Sequence, residues 1–109
     1  MIKRVLALFA VACLFSTTAA AFNGYVEVTN RTGYDIHYLY VSPAKAGDWE
    51  EDVLDQDILS NGQTVRVTVR QAAGSVYDIR AEDEDGDTYT LWNVDIAKHD
   101  IVFSEQDMD

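Results

Sequence analysis

Five carboxylates occupy six consecutive positions in Glu82-Asp83-Glu84-Asp85-Gly86-Asp87. A hard cation such as Ca²⁺ takes about six to eight oxygen ligands, which makes Glu82, Asp83, Asp85 and Asp87 the candidate metal ligands of this chain. The run does not follow an EF-hand loop. With Gly86 at the glycine position, the first and last ligands would fall on Ala81 and Trp92, and neither carries a carboxylate. Asp85-Gly86 is also a hairpin signal, so the same run reads as a charged turn whose like charges are screened by solvent.

A second acidic cluster comprises Asp48, Glu50, Glu51, Asp52, Asp55 and Asp57. Acids near the start of a short helix are favourable, and a charge run of this kind usually lies on a solvated face. Should the two clusters meet in the fold, they would form a cation site or a docking face for a basic partner. The candidate binding residues are Trp49 and Trp92 with Asp48, Glu51 and Asp52. Trp92 points outward on its strand with Thr88 and Thr90; an exposed tryptophan near tyrosines suits protein or carbohydrate contact. The preferred reading is a covered ring, either under the 42–57 segment or packed in the second face of a sandwich, since large aromatics are mostly buried.

Catalysis finds little support. From residue 22 onward there is no cysteine, and His37 and His99 are the two histidines. No Gly-x-Ser-x-Gly elbow occurs. His37 shares a strand face with Asp35, a pairing more often structural than catalytic. Zinc held by His37, His99 and carboxylates lacks the close ligand spacing such sites use. A carboxylate pair for glycoside hydrolysis needs a cleft, which a short chain with short loops seldom builds. No catalytic residue is assigned, a small hydrolase is the weakest alternative, and no cofactor is expected unless calcium binds the 82–87 run.

The elements that must position these residues are strands. Val26 and Val28 alternate with Tyr25, Glu27 and Thr29 over 22–29, and Asn30-Arg31-Thr32-Gly33 is a turn. Asn30-Arg31-Thr32 also matches a glycosylation sequon, on which nothing is built. Over 34–41 both faces carry apolar residues, which predicts an interior strand. Ser42-Pro43 stops it. Asp48 with Glu51 forms a capping-box pattern, and Trp49, Val53 and Leu54 fall on one side, so one or two helical turns are expected across an open end of the fold.

Strand character resumes at 57–60. Asn61-Gly62 predicts a hairpin turn of type I′. Val65, Val67 and Val69 point inward, as do Tyr77, Ile79 and Ala81, then Tyr89 and Leu91, then Ile101 and Phe103. Arg66, Arg70, Asp78 and Arg80 point outward, placed for cross-strand ion pairs or for a local basic stripe. Glu105–Asp109 reads as a frayed acidic tail. About seven short strands at regular spacing predict an all-β chain: a small β-sandwich, immunoglobulin-like or related, with one short helical excursion.

The 109 residues carry a formal charge of −11, with 48% hydrophobic content, which excludes a disordered acidic tail. Lys3 and Arg4, the apolar run 5–15 and Ala19-Ala20-Ala21 together predict a signal peptide over 1–21, followed by a single domain over 22–109. The apolar run is too short to anchor in a bilayer, so no stable membrane insertion is expected after cleavage. Acylation on Cys13 is the lesser alternative, since the residues before it lack the usual leucine. Loss of Lys3 and Arg4 would take the charge from −11 to −13. Such a domain repels phosphate, which excludes nucleic acid as a partner. It favours cations and basic proteins. The expectation is an exported, periplasmic or secreted monomer.

An ordered series runs through this region: Thr32-Gly33-Tyr34-Asp35-Ile36, Leu39-Tyr40-Val41-Ser42-Pro43, Trp49 with Asp52 and Leu54, Leu59 with Gly62, Tyr77-Asp78-Ile79-Arg80 and Asp85-Gly86-Asp87. It resembles a family of small exported bacterial proteins that join a signal peptide to one compact β-domain. The resemblance covers nearly all of 22–109 and implies the fold and export, with no catalytic residue to carry over. The reading that results is a non-catalytic binding module with an acidic surface. Its alternative is a calcium-stabilised module using Glu82 to Asp87.

Overall fold

β1 (Tyr25–Arg31) forms where Val26, Val28 and Asn30 alternate inward with Tyr25, Glu27 and Thr29 outward. The computed structural model describes residues 24–109, so the expected signal peptide and its cleavage site lie outside the described residues. Five more strands follow: β2 (Ile36–Pro43), β3 (Thr64–Thr68), β4 (Val76–Asp83), β5 (Thr88–Asp95) and β6 (Ile101–Ser104). They make two three-stranded sheets, ordered β3-β1-β6 and β2-β4-β5. β1 runs antiparallel to β3 and parallel to β6. In the second sheet both pairings are antiparallel.

The inner faces of the sheets share one core. Val26, Val28, Leu39, Ile79, Tyr89 and Phe103 are fully buried within it. Tyr89 meets Phe103 edge-to-face, with ring centroids 6.3 Å apart. The all-β architecture is as the alternation predicts, and every inward position expected on β4 and β6 is buried.

Five local expectations need correction. First, β2 is an edge strand rather than an interior one. Its register slips between Ile36 and Tyr38, opposite Asp83 and Glu82. A bulge resets the side-chain parity, so Ile36, Leu39 and Val41 all point inward while Tyr38 and Tyr40 turn out. Apolar residues on both faces of the sequence pattern come from that bulge.

Second, residues 57–60 contribute a single bridge, Leu59 to Ile36, and no strand. Asn61-Gly62 does make a tight turn, closed by the Gln63 amide donating to the Ser60 carbonyl at 2.9 Å. Only Gly62 takes positive φ (91°), the type II arrangement. The turn carries the chain from the edge of one sheet to the other instead of closing a hairpin.

Third, no helix forms at 48–54. The Asp52 carboxylate accepts the amides of Leu39 (2.8 Å) and Leu54 (3.0 Å), and the Val53 amide donates to the Leu39 carbonyl at 2.8 Å. Bonds to β2 replace those a helix would need, and Leu54 is drawn into the core.

Fourth, the tail is pinned. Glu105–Asp107 is a single 3-10 turn with a capping box between Ser104 and Asp107. Met108 bridges Tyr89, and the Asp109 amide donates to the Thr88 carbonyl at 2.8 Å. The Thr88 and Thr90 hydroxyls donate to Asp109 Oδ2 at 2.7 and 2.6 Å. Desolvation opposes ionisation of this carboxyl, but the threonine hydrogen bonds and Arg80 outweigh it and hold its pKa below the usual value.

Fifth, the strand runs on through Arg31, so the expected turn starts later, and Asn30 and Thr32 are buried. Asn30 is fully buried and makes four hydrogen bonds. Its Nδ2 is committed to the carbonyls of Tyr34 and Leu59, so the sequon nitrogen is closed to a glycan in the folded protein.

Candidate functional site

Pro43 ends β2, and a 3-10 turn at Ala44–Ala46 with Gly47 in the left-handed region sends the chain back along the sheet. The Glu50 amide donates to the Ser42 hydroxyl at 2.8 Å, fixing the chain just beyond Trp49. The Trp49 ring then lies over the outer face of β2-β4-β5. It packs on Tyr40 from β2 at 6.2 Å and on Trp92 from β5 at 5.6 Å, both tilted. The Arg80 guanidinium of β4 sits 4.8 Å from the centre of the Trp49 ring, while its Nε donates to the Thr90 hydroxyl at 3.0 Å. Cation–π and offset aromatic contacts of this kind hold a flat surface at small entropic cost. Trp92 keeps 60% of its surface exposed and Tyr38, one step along β2, keeps 44%.

Of the predicted binding residues, the structure brings Trp49, Trp92 and Asp52 to this face. Asp48 is exposed beside Trp49 in the chain. Glu51 turns the other way and lines a groove against β3. The two acidic segments do approach each other at Tyr40. Burial raises its phenol pKa first, and the charges of Asp52 and Glu82 raise it further. Tyr38, Tyr40 and Arg80 were not in the predicted set. The parity change at the bulge hides the two tyrosines, and Arg80 reads in sequence like any outward strand cation.

The outward charges pair selectively. Arg66 meets Glu27 at 3.1 Å and Arg70 meets Glu50 at 3.3 Å, both exposed and of small energetic value. Arg80 takes the aromatic contact instead. Asp78 accepts the Asn93 amide at 2.8 Å, at a bulge where Asn93 adopts positive φ.

The acidic run is the turn between β4 and β5. The Gly86 amide donates to the Asp83 carbonyl at 3.0 Å, and the Asp83 amide to the Asp87 carbonyl at 2.9 Å. Gly86 has φ 85°, which makes a type I turn followed by a bulge residue. Among the described residues, Asp83, Asp85 and Asp87 are the group of three whose ligand atoms come within 4.8 Å of one another. Glu82 lies outside it, on the outer sheet face near Tyr40.

Asp83 is not a free ligand. It is 2% exposed, its Oδ1 accepts the amides of Asp85 and Asp87 at 2.9 and 3.0 Å, and its Oδ2 accepts the Tyr89 hydroxyl at 2.8 Å. Three donors thus fill most of the acceptor positions of this carboxylate, and a cation would compete with them. Addition of millimolar calcium is therefore expected to move Tm by less than about 1 °C in a thermal melt. A rise of several degrees, the mass-action signature of binding to the folded state, would show that Asp83 can be recruited.

His37 is half-buried and His99 exposed, and neither joins a cluster of three metal-ligating groups among the described residues.

No family model matches this chain, and no solved structure matches it. It is similar to two curated proteins of Halobacterium salinarum, from strains R1 and NRC-1, each named HGPRTase-like protein. Each is 34% identical over 92 residues, covering 72% of this chain and 48% of the relative. The chain thus spans about half the length of the curated relatives it matches.

Proposed function

We propose that this protein is an exported, non-catalytic binding module that acts as a monomer in the periplasm or outside the cell. It takes a basic protein on the outer face of β2-β4-β5. The observation that carries this reading is the stack of Trp49 on Trp92 at 5.6 Å, with Trp92 60% exposed, on a face where the charges of Asp52 and Glu82 act on Tyr40. A large rigid aromatic surface that stays in water is costly unless a partner covers it. The net charge of −11 attracts a basic partner over long range, and a lysine or arginine side chain meets the Trp92 face at contact. Export follows the pattern of residues 1–21, and catalysis is disfavoured because no nucleophile–base pair is found among the described residues.

The test is capture of extracytoplasmic proteins on the immobilised protein and on Trp92→Ala, at low salt and at 0.5 M salt, with the retained proteins identified. Retained partners should be basic, should be lost at high salt, and should bind Trp92→Ala about tenfold to thirtyfold more weakly. Because Trp92 is exposed, the variant should keep its Tm within a few degrees. Equal capture by both proteins would defeat the reading.

A further inference from the structure

We propose a second binding site, separate from the Trp49–Trp92 face: the free edge of β3, which accepts an extended basic peptide as an added strand. β3 pairs with β1 on one side only. The Val69 amide donates to the Gly24 carbonyl, and the Asn30 amide to the Gln63 carbonyl, so the odd-numbered residues of this stretch bond toward β1. In an antiparallel ladder the alternate residues then aim their amides and carbonyls the other way. Those are Thr64, Arg66 and Thr68. Among the described residues no further hydrogen bond reaches their main-chain amides or carbonyls, which leaves an open template of three residues.

The space beside that edge fits a strand. Two grooves of about 650 and 450 Å³ run along β3 and share Glu51, Val53, Val67 and Thr68. Their inner walls are apolar, with Val65, Val69, Val41 and Tyr77. β3 is five residues long, about 17 Å at strand rise, long enough to hold a short added strand. The opposite wall is the 50–55 segment, and it is acidic, with Glu50, Glu51, Asp52 and Asp55. Only Glu50 of these four has an ion-pair partner among the described residues.

Charge and pleat together choose the occupant. Apolar side chains on one face of the added strand continue the row Val65, Val67 and Val69. Lysine or arginine on the other face is attracted by the field of the acidic 50–55 wall. Directly opposite Arg66 a cation is repelled, so a small neutral residue belongs there. A second copy of this chain is disfavoured by its net charge of −11. Main-chain bonds supply the affinity and side-chain pockets the selectivity, as in other strand-addition sites.

The probe is a nine-residue peptide of alternating lysine and valine with threonine at its centre. It is titrated by calorimetry at low salt and followed by amide hydrogen exchange. Binding is expected, with slowed exchange at Thr64, Arg66 and Thr68. Methylating the backbone nitrogens of the third, fifth and seventh peptide residues keeps every charge and removes the bonds to the edge. Affinity should fall at least tenfold. Glu51→Lys should weaken the unmodified peptide at least fivefold, whereas Trp92→Ala should leave its affinity unchanged. That last arm separates this site from the aromatic face, so either can fail alone. Equal binding of methylated and unmethylated peptides would reduce the effect to bulk charge and overturn the proposal. So would no binding at 1 mM, or a dimer of the protein that protects the same three amides without peptide.

Discussion

Asn30→Ala is expected to lower the unfolding free energy by about 3–4 kcal/mol, the largest effect of any single substitution considered. Asn30 lies at the end of β1, fully buried. Its Nδ2 donates to the Tyr34 carbonyl at 2.6 Å and to the Leu59 carbonyl at 2.9 Å. Its Oδ1 accepts the Thr32 amide at 2.9 Å and the Thr32 hydroxyl at 2.8 Å. One side chain thereby ties the 31–35 turn to the strandless 57–60 segment, which otherwise holds to the fold through Ile36 and Leu59.

Truncation removes four hydrogen bonds from a dry site, each worth about 0.5–1.5 kcal/mol; the Thr32 amide loses its partner, whereas the Tyr34 and Leu59 carbonyls keep the Thr32 hydroxyl and the Ile36 amide. Domains of this size have on the order of 5 kcal/mol in total. Urea denaturation should show the midpoint falling by about 3 M at an m-value near 1 kcal/mol/M. A shift below about 1 M would mean that water replaces the side chain.

Asn30→Asp sharpens the test. It keeps the acceptor toward Thr32 and turns a carboxyl oxygen toward the two carbonyls. Burial and those carbonyls favour the protonated acid, so the folded pKa of the introduced carboxyl lies above its unfolded value of about 3.9. A raised pKa means that the contribution is present below the unfolded value and lost as pH rises through the folded one. This variant should be near wild type at pH 3–4 relative to the same pH reference, and strongly destabilised at pH 7.

Asp83→Ala is expected to cost about 3 kcal/mol, and Asp83→Asn only about 1. Three donors converge on this carboxylate: two amides of its own turn and the Tyr89 hydroxyl. Alanine strands all three. Asparagine keeps an oxygen for the two amides, and its nitrogen can donate to the Tyr89 oxygen instead. It also removes one negative charge from beside Asp85 and Asp87.

The alkaline limb carries a second readout. Burial first, and then the hydrogen bond to Asp83 and its charge, push the Tyr89 pKa well above the ordinary value of 10. This raised pKa contributes stability that is complete below about pH 10 and lost as the pH climbs toward the folded value. Wild-type stability should therefore fall above about pH 10. Tyr89→Phe should flatten that decline while costing about 1–2 kcal/mol at neutral pH. Similar steepness in both proteins would assign the decline to Tyr77 and Tyr40, whose pKa values burial also raises.

Both residues show what was hard to read in the chain itself. Asp83 sits among four other acids, and composition treats it as one more surface charge. Its burial follows from parity: it is the fourth inward position of β4 after Tyr77, Ile79 and Ala81. The alternation was legible that far and needed only one more step. Asn30 likewise follows Val26 and Val28 in the inward row of β1. The 48–54 segment misleads for a different reason. Its capping pattern is a real local preference, overridden because Asp52 and Val53 find partners on Leu39 thirteen or more residues away.

What the residues determined by themselves is the all-β character, the inward rows of β1, β4 and β6, the turns at Gly62 and Gly86, and the anionic surface. These depend on side-chain alternation, backbone freedom at glycine and charge counting, all of which act between near neighbours. Only the tertiary structure decided that β2 is a bulged edge, that 57–60 is not a strand, and that Trp49 meets Trp92. It also decided that Tyr40 and Arg80 join them, and that β3 is left with an open side. Each of these depends on which strands lie next to each other, set by contacts between residues tens of positions apart that no local pattern encodes.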